Sequence, residues 1–195
     1  MKLVFVTGNK YKYRIARKAL SDLNIRLVQK KIPVPEIQSM DVSEIAAFSA
    51  AWASKKINLP VVVTDAGFYF EGLKGFPGPF IKYANQWFSS SDFIGLMRGR
   101  KNRKIIVKDC LAFCAPNKKP VVFCSQTEGS AAKKPGSRGI SSVDQIFVPK
   151  GYAKTTSDMS TDEMLNFWQG KINNWMKLAK YLRKKAKLQI RNEKA

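Results

Sequence analysis

The sequence has no histidine, and only 14 acidic residues stand against 35 Lys and Arg in a chain of 195. The missing imidazole excludes a Ser-His-Asp or Cys-His nucleophile, a histidine-held zinc and an imidazole general base. Catalysis would have to run on carboxylates, lysines, hydroxyls, backbone amides and a metal held by carboxylates. Cysteine is scarce as well. Cys110, Cys114 and Cys124 are too few and too irregular for a disulfide framework or a four-Cys zinc site, and they read as free core thiols in a reducing compartment. No run is long and apolar enough to span a bilayer. Residues 1–6 lack the length and cleavage site of a signal peptide. The expected location is the cytoplasm, with no membrane partner.

Apolar residues make up 45% of the chain, enough for a real core, and the length suits one compact domain. The formal net charge of +21 attracts polyanions: nucleotides, nucleic acid or an anionic surface. Nine Lys or Arg lie in the last 25 residues against the single acid Glu193. That run reads first as a solvated helix face with a frayed tail, and alternatively as a surface for phosphate or nucleic acid.

Residues 3–7 form a short apolar β-rich run, and Gly8-Asn9 breaks it before a helical pattern over 10–23. This strand–turn–helix opening is an α/β signature. A second short strand is expected at 25–28, and a helix at 43–56 with Ser43 able to cap it. Val61-Val62-Val63 reads as a central strand ending at Asp65-Ala66-Gly67, followed by a separate β-rich run at 68–70. Residues 72–79 form a rigid Gly/Pro loop. An interrupted helical stretch at 80–98, a hairpin of long strands (104–115 and 121–127) and a loop over 128–140 follow. One long helix is expected from 161 to about 188, with Trp168, Ile172, Trp175, Ala179, Leu182 and Ala186 along its apolar stripe.

Four places in this pattern could carry chemistry. In Thr7-Gly8-Asn9-Lys10-Tyr11-Lys12, amides at a helix start favour an anion and Gly8 lets a phosphate approach the backbone. A plain turn with Asn9 as N-cap fits the same residues. Asp65, at the expected end of a buried strand, lies where ligands bind in α/β sheets, or serves as a cap. Glu36, in stiff Pro35-Glu36-Ile37-Gln38, could join Asp65 in holding Mg²⁺, or be a solvated loop acid. Gly75-Phe76-Pro77-Gly78-Pro79-Phe80-Ile81-Lys82 is the most distinctive stretch, and reads otherwise as a structural loop.

Taken together, Thr7-Gly8-Asn9-x-x-Lys12, Pro35-Glu36-Ile37-Gln38, Asp65-Ala66-Gly67 and the Gly75–Lys82 block resemble the inosine triphosphate pyrophosphatase family over nearly the whole chain. The resemblance implies an α/β fold with a long curved mixed sheet, flanking helices and two lobes around a central cleft. It would span residues 1–188, with 189–195 as a basic tail. It implies Mg²⁺-dependent hydrolysis of ITP, dITP and XTP to the monophosphate and pyrophosphate by a homodimer. Thr7, Gly8, Asn9 and Lys12 would hold the triphosphate, and Glu36 and Asp65 the Mg²⁺. Asp65 would also prepare the attacking water, with Lys82 supporting the same region.

The base-recognition side departs from the family. Thr64 stands where a second acid is usual. In Ser141-Ser142-Val143-Asp144-Gln145-Ile146-Phe147, Asp144 and Phe147 remain but both stacking aromatics are gone. The family's Ser-His-Arg is replaced by Trp168-Gln169-Gly170. Trp168 could stack on a base and Gln169 read its edge, although the apolar stripe of the helix assigns Trp168 to the core. The alternative function is an altered or inactive member of the fold that binds nucleotides or nucleic acid through its basic surface.

Overall fold

A computed structural model describes residues 1–137, 141–171 and 173–192; for Tyr11, Leu165, Gln169, Lys171 and residues 186–192 it describes the backbone only. The elements are, in chain order, β1 (Lys2–Val6), α1 (Lys10–Ala19), β2 (Arg26–Lys30), α2 (Val42–Ile57), β3 (Val61–Phe70), β4 (Pro77–Gly78), α3 (Ile81–Trp87), α4 (Ser90–Leu96), β5 (Lys104–Cys114), β6 (Val121–Ala131), β7 (Phe147–Pro149), α5 (Thr161–Lys171) and α6 (Asn174–Asn192). One mixed sheet runs in the order β2-β1-β3-β5-β6-β7, with β4 beside β3. The pairings β1–β2 and β1–β3 are parallel, and β3–β5, β5–β6 and β6–β7 are antiparallel. The α/β class with a mixed sheet and flanking helices is therefore as expected.

Strand alternation divides the apolar residues between the two faces. Leu3 and Phe5 pack with Ala16 of α1, with Leu20 just past its end, and with Trp175 and Leu178 of α6. Val4 and Val6 face the other way, onto Val42, Ala46, Ala50 and Ala53 of α2. So the crossover from β1 to β2 lies on one face and that from β2 to β3 on the other. This makes the gap between β1 and β3 the topological switch point, where an open α/β sheet binds ligands. A further core gathers Phe68 and Phe70 of β3, Ile105 and Val107 of β5, Ile81 of α3, Phe93 of α4 and Phe167 of α5.

Several expectations need correction. β3 does not end at Asp65 but continues without a turn to Phe70, paired residue by residue with β5. Gly67 is not a turn residue. A Cβ there would lie 2.9 Å from the Gly78 carbonyl oxygen, so the glycine permits close approach of the Gly75–Lys82 block. The cap of α2 is Asp41, whose carboxylate accepts from the Ser43 N–H at 2.9 Å. The loop expected from 128 starts only after Ala131, because β6 pairs with β5 as far as Ser130↔Lys104. The single C-terminal helix is two helices. Asn174, at the start of α6, turns its amide inward to the Asp109 carbonyl at 2.8 Å, and an Asn so engaged is a weak helix interior residue. Of the stripe on that helix, Trp175 and Ala179 are buried, while Ile172 and the Ala186 side chain lie outside the described residues. Finally, the sulfurs of Cys110 and Cys124 are bonded, because the β5–β6 register sets the two residues directly opposite. Only Cys114 is a free, buried thiol.

Candidate active site

The site grows from a gap in the sheet. β1 pairs with β3 only through Val4↔Val61 and Phe5↔Val62, and β4 pairs with it only through Phe68↔Gly78 and Tyr69↔Pro77. Among the described residues, nothing pairs with that edge of β3 from Val63 to Gly67. Asp65 is thus mid-strand, yet just beyond the end of the parallel pairing, which is what a ligand-binding position requires. Thr64 lines two cavities, one of about 740 Å³ and one of about 470 Å³.

The turn after β1 faces this gap. Thr7 Oγ1 accepts from the Asn9 N–H at 3.1 Å, and Asn9 Oδ1 accepts from the Lys12 N–H at 3.1 Å. Asn9 therefore caps α1, as the plain-turn reading expected. The same arrangement leaves a helix start and a lysine aimed at the sheet opening: Lys12 Nζ stands 3.5 Å from Thr64 Oγ1. A Cβ at Gly8 would meet only the stem of Lys31, at 3.6 Å, so the backbone there is approachable.

The larger cavity holds Thr7, Gly8, Glu36, Asp65 and Lys82 together. Glu36 accepts from Lys82 Nζ at 2.8 Å and from the Tyr83 hydroxyl at 3.1 Å. The bond from Lys82 holds its carboxyl below the usual range, and burial opposes this. Lys82 thus belongs to the carboxylate side of the site. Asp65 is different. Burial pushes it above the usual carboxylate range, against the Ala66 N–H (2.9 Å) and the charge of Lys12; Glu36 and Asp109 add repulsion. A partly desolvated carboxylate that has no ion pair among the described residues gains from a cation or from a proton. Glu36 and Asp65 suit Mg²⁺, which is commonly held by one or two carboxylates with water and phosphate completing the shell. Among the described residues no cluster of three metal-ligating side chains occurs.

The smaller cavity lies between two of the cores on the α1/α6 face. Along β3 the residues facing it are Thr64 and Ala66, flanked by apolar Val62 and Phe68. Asp144 and Trp168 line it, with Met164 beside them. Asp144 accepts from Ser141 Oγ at 2.6 Å and from Thr156 Oγ1 at 3.3 Å, which shapes its loop; burial still pushes its carboxyl up. Phe147 is fully buried, parallel to Trp168 at 6.3 Å, and is not among the residues lining the cavity. Trp168 has both expected characters, since it packs on the core and borders the cavity. The Gln169 side chain lies outside the described residues.

The sequence reading passed over Asp109. On its face of β5 the alternation runs Ile105, Val107, Asp109, Leu111, Phe113, and this acid interrupting four apolar residues was the available signal. Asp109 borders the smaller cavity opposite Ala66. It accepts from Asn174 Nδ2 at 3.1 Å. Burial raises its carboxyl, against the charge of Lys12 and that hydrogen bond. Because the folded state holds this proton more tightly, stability falls as pH rises from the ordinary carboxylate range through the raised value. Asp109→Asn keeps an acceptor for Asn174 and removes the charge. It is expected to stabilise the fold by on the order of 1 kcal/mol at pH 7, with the gain vanishing below the ordinary carboxylate range. Thermal melts at both pH values check this.

Comparison with known proteins agrees with the resemblance read from the motifs. The model of the Ham1 family matches residues 3–168. The dITP/XTP pyrophosphatase of Methanopyrus kandleri is 32% identical over 163 residues, covering 84% of this chain and 87% of its own. That of Thermococcus kodakarensis is 33% identical over 163 residues, covering 84% and 88%. In fold, the HAM1 protein from Coxiella burnetii superposes with a TM-score of 0.80 at 20% identity, over 94% of this chain and 99% of that one. The Staphylococcus aureus Ham1 protein gives 0.78 at 20% identity, over 95% and 100%. The matched segment contains the Thr7–Lys12 turn, Glu36, Asp65 and Asp144, and the chain belongs to the Ham1 family.

Proposed function

We propose that this protein is a nucleoside triphosphate pyrophosphatase that hydrolyses deaminated purine nucleotides (ITP, dITP and XTP) to the monophosphate and pyrophosphate, with Mg²⁺, as a cytoplasmic homodimer that clears the nucleotide pool. One observation carries the reading. The capped turn at the start of α1, with Lys12, and a partly buried carboxylate, Asp65, come together at the unpaired edge of β3. The names of the Methanopyrus and Thermococcus relatives support the substrate class.

In this reading Thr7, the first amides of α1 and Lys12 bind the triphosphate, where the helix start and the ammonium both favour negative charge. Asp65 takes a proton from water as the water oxygen bonds to the α-phosphorus. The bond from that phosphorus to the β-bridging oxygen breaks, and pyrophosphate leaves on the side of Lys31 and Lys82. Glu36 and Asp65 would hold Mg²⁺, which would supply charge neutralisation on the phosphate oxygens. The base occupies the smaller cavity against Trp168, with Asp144 and Asp109 as acceptors for its N–H groups. Phe147 acts through Trp168.

The test is pyrophosphate release from ITP, XTP, dITP, ATP and GTP, with Mg²⁺ and with EDTA, and with DNA and RNA as competitors. Turnover highest on the deaminated purines and abolished by EDTA is expected. No turnover of any nucleotide, together with tight nucleic-acid binding at low salt that weakens steeply as salt rises, would favour the alternative of a basic nucleic-acid-binding member of the fold.

A further inference from the structure

The cavity holding Glu36 and Asp65 is walled on its far side by groups that a pyrophosphate leaving group does not need. Ile37, Pro79, Phe80, Tyr83 and Trp87 line it there. Trp87, the last residue of α3, is 73% exposed, more than any other large apolar side chain described. Tyr83, one turn earlier, stacks on it with ring centroids 5.9 Å apart and planes 28° from parallel. The Tyr83 ring is itself held, by its hydroxyl on Glu36 at 3.1 Å and by Lys82 Nζ 5.4 Å from its centroid. An ordered aromatic pair left open to water costs free energy, and its open face has the form that stacks a planar ring. Lys31 and Lys82, beside which the pyrophosphate of a triphosphate would leave, line the same cavity, so a longer phosphate chain would continue past them toward the aromatic pair.

We propose that the site also takes dinucleoside polyphosphates, with the second nucleoside's base stacked on Trp87 and Tyr83 and the longer phosphate chain lying past Lys31 and Lys82. This rests on the pyrophosphatase reading and extends it on the leaving-group side. The chemistry is unchanged and balances. The oxygen of water bonds to the α-phosphorus of the nucleotide in the smaller cavity, the bond to the β-bridging oxygen breaks, and the water's proton passes through Asp65 to solvent. From a dinucleoside tetraphosphate the products are one nucleoside monophosphate and one nucleoside triphosphate.

The experiment compares ITP with diinosine tetraphosphate on the wild-type protein, Trp87→Ala and Trp87→Phe. Stacking of a base on an aromatic side chain is worth about 1–3 kcal/mol. Trp87→Ala is therefore expected to lower kcat/KM for the dinucleotide by about tenfold or more. It should leave that for ITP unchanged, and Trp87→Phe should restore most of the loss. Equal losses on both substrates, or cleavage of ITP without cleavage of the dinucleotide, would overturn the proposal. If neither is cleaved, the pyrophosphatase reading has failed, and calorimetric binding still decides the platform. Tighter binding of the dinucleotide than of ITP, lost in Trp87→Ala, supports it, and equal affinities refute it.

Discussion

Asp65→Asn is expected to lower turnover of ITP by roughly 10²–10⁴-fold, the usual worth of a positioned general base, without lowering the melting temperature at pH 7. The two halves of this expectation have one cause. Burial is the largest influence on the Asp65 carboxyl and it acts against the charged form. The folded protein holds that charge at a cost, so an isosteric neutral amide relieves the fold while ending proton transfer. The Ala66 N–H that donates to Oδ1 finds an oxygen acceptor in Asn as well. A loss of activity accompanied by a fall in melting temperature would mean that Asp65 is part of the framework rather than the chemistry. Steady-state pyrophosphate release and a thermal melt on the same preparation distinguish the two.

Much of this was legible from residue order alone, for reasons that vary by element. β1, α1 and the turn between them were readable because their signals are local: an apolar run, a Gly-Asn break, a 3.6-residue stripe. Asp65 was found for an incomplete reason. It does not end its strand, but the strand partner changes there from β1 to the open edge, and partner exchange leaves no mark on residue order. Gly67 read as a turn because its actual cause, the carbonyl of Gly78, is eleven residues away. The break before α6 follows from the reach of Asn174 to Asp109, across 65 positions. The bond between Cys110 and Cys124 follows from hairpin register. Asp109 and Trp87 were passed over for a different reason. Trp87 is ordinary in its own segment and Asp109 breaks a single apolar alternation, and each becomes notable only once the fold shows which cavity it faces.

Lys12→Met is expected to cost about 10²-fold or more in kcat/KM for the triphosphate, comparable with removing one preorganised charge-stabilising donor. The variant keeps the length and apolar stem of the side chain but removes its ammonium, so packing of α1 against the sheet is disturbed least. The stability effect follows from two carboxyls at once. The charge of Lys12 draws both Asp65 and Asp109 downward, in opposition to burial. Without it both rise further, and the folded protein prefers their protonated forms more strongly. A raised carboxyl costs stability above its own value and nothing below the ordinary range. The melting temperature of Lys12→Met should therefore fall relative to the wild type at pH 7 and approach it as the pH is lowered toward 4. Lys12→Arg preserves the charge, so it should retain the wild-type pH dependence of stability even where the shape of the guanidinium impairs phosphate binding. If Lys12→Met were as stable as the wild type at neutral pH and still inactive, Lys12 would serve only the phosphates. A pH-dependent loss identifies it as the shared counter-charge of two carboxylates, Asp65 on β3 and Asp109 opposite Ala66 on β5, which allows this chain to keep both beside a site for a polyanion.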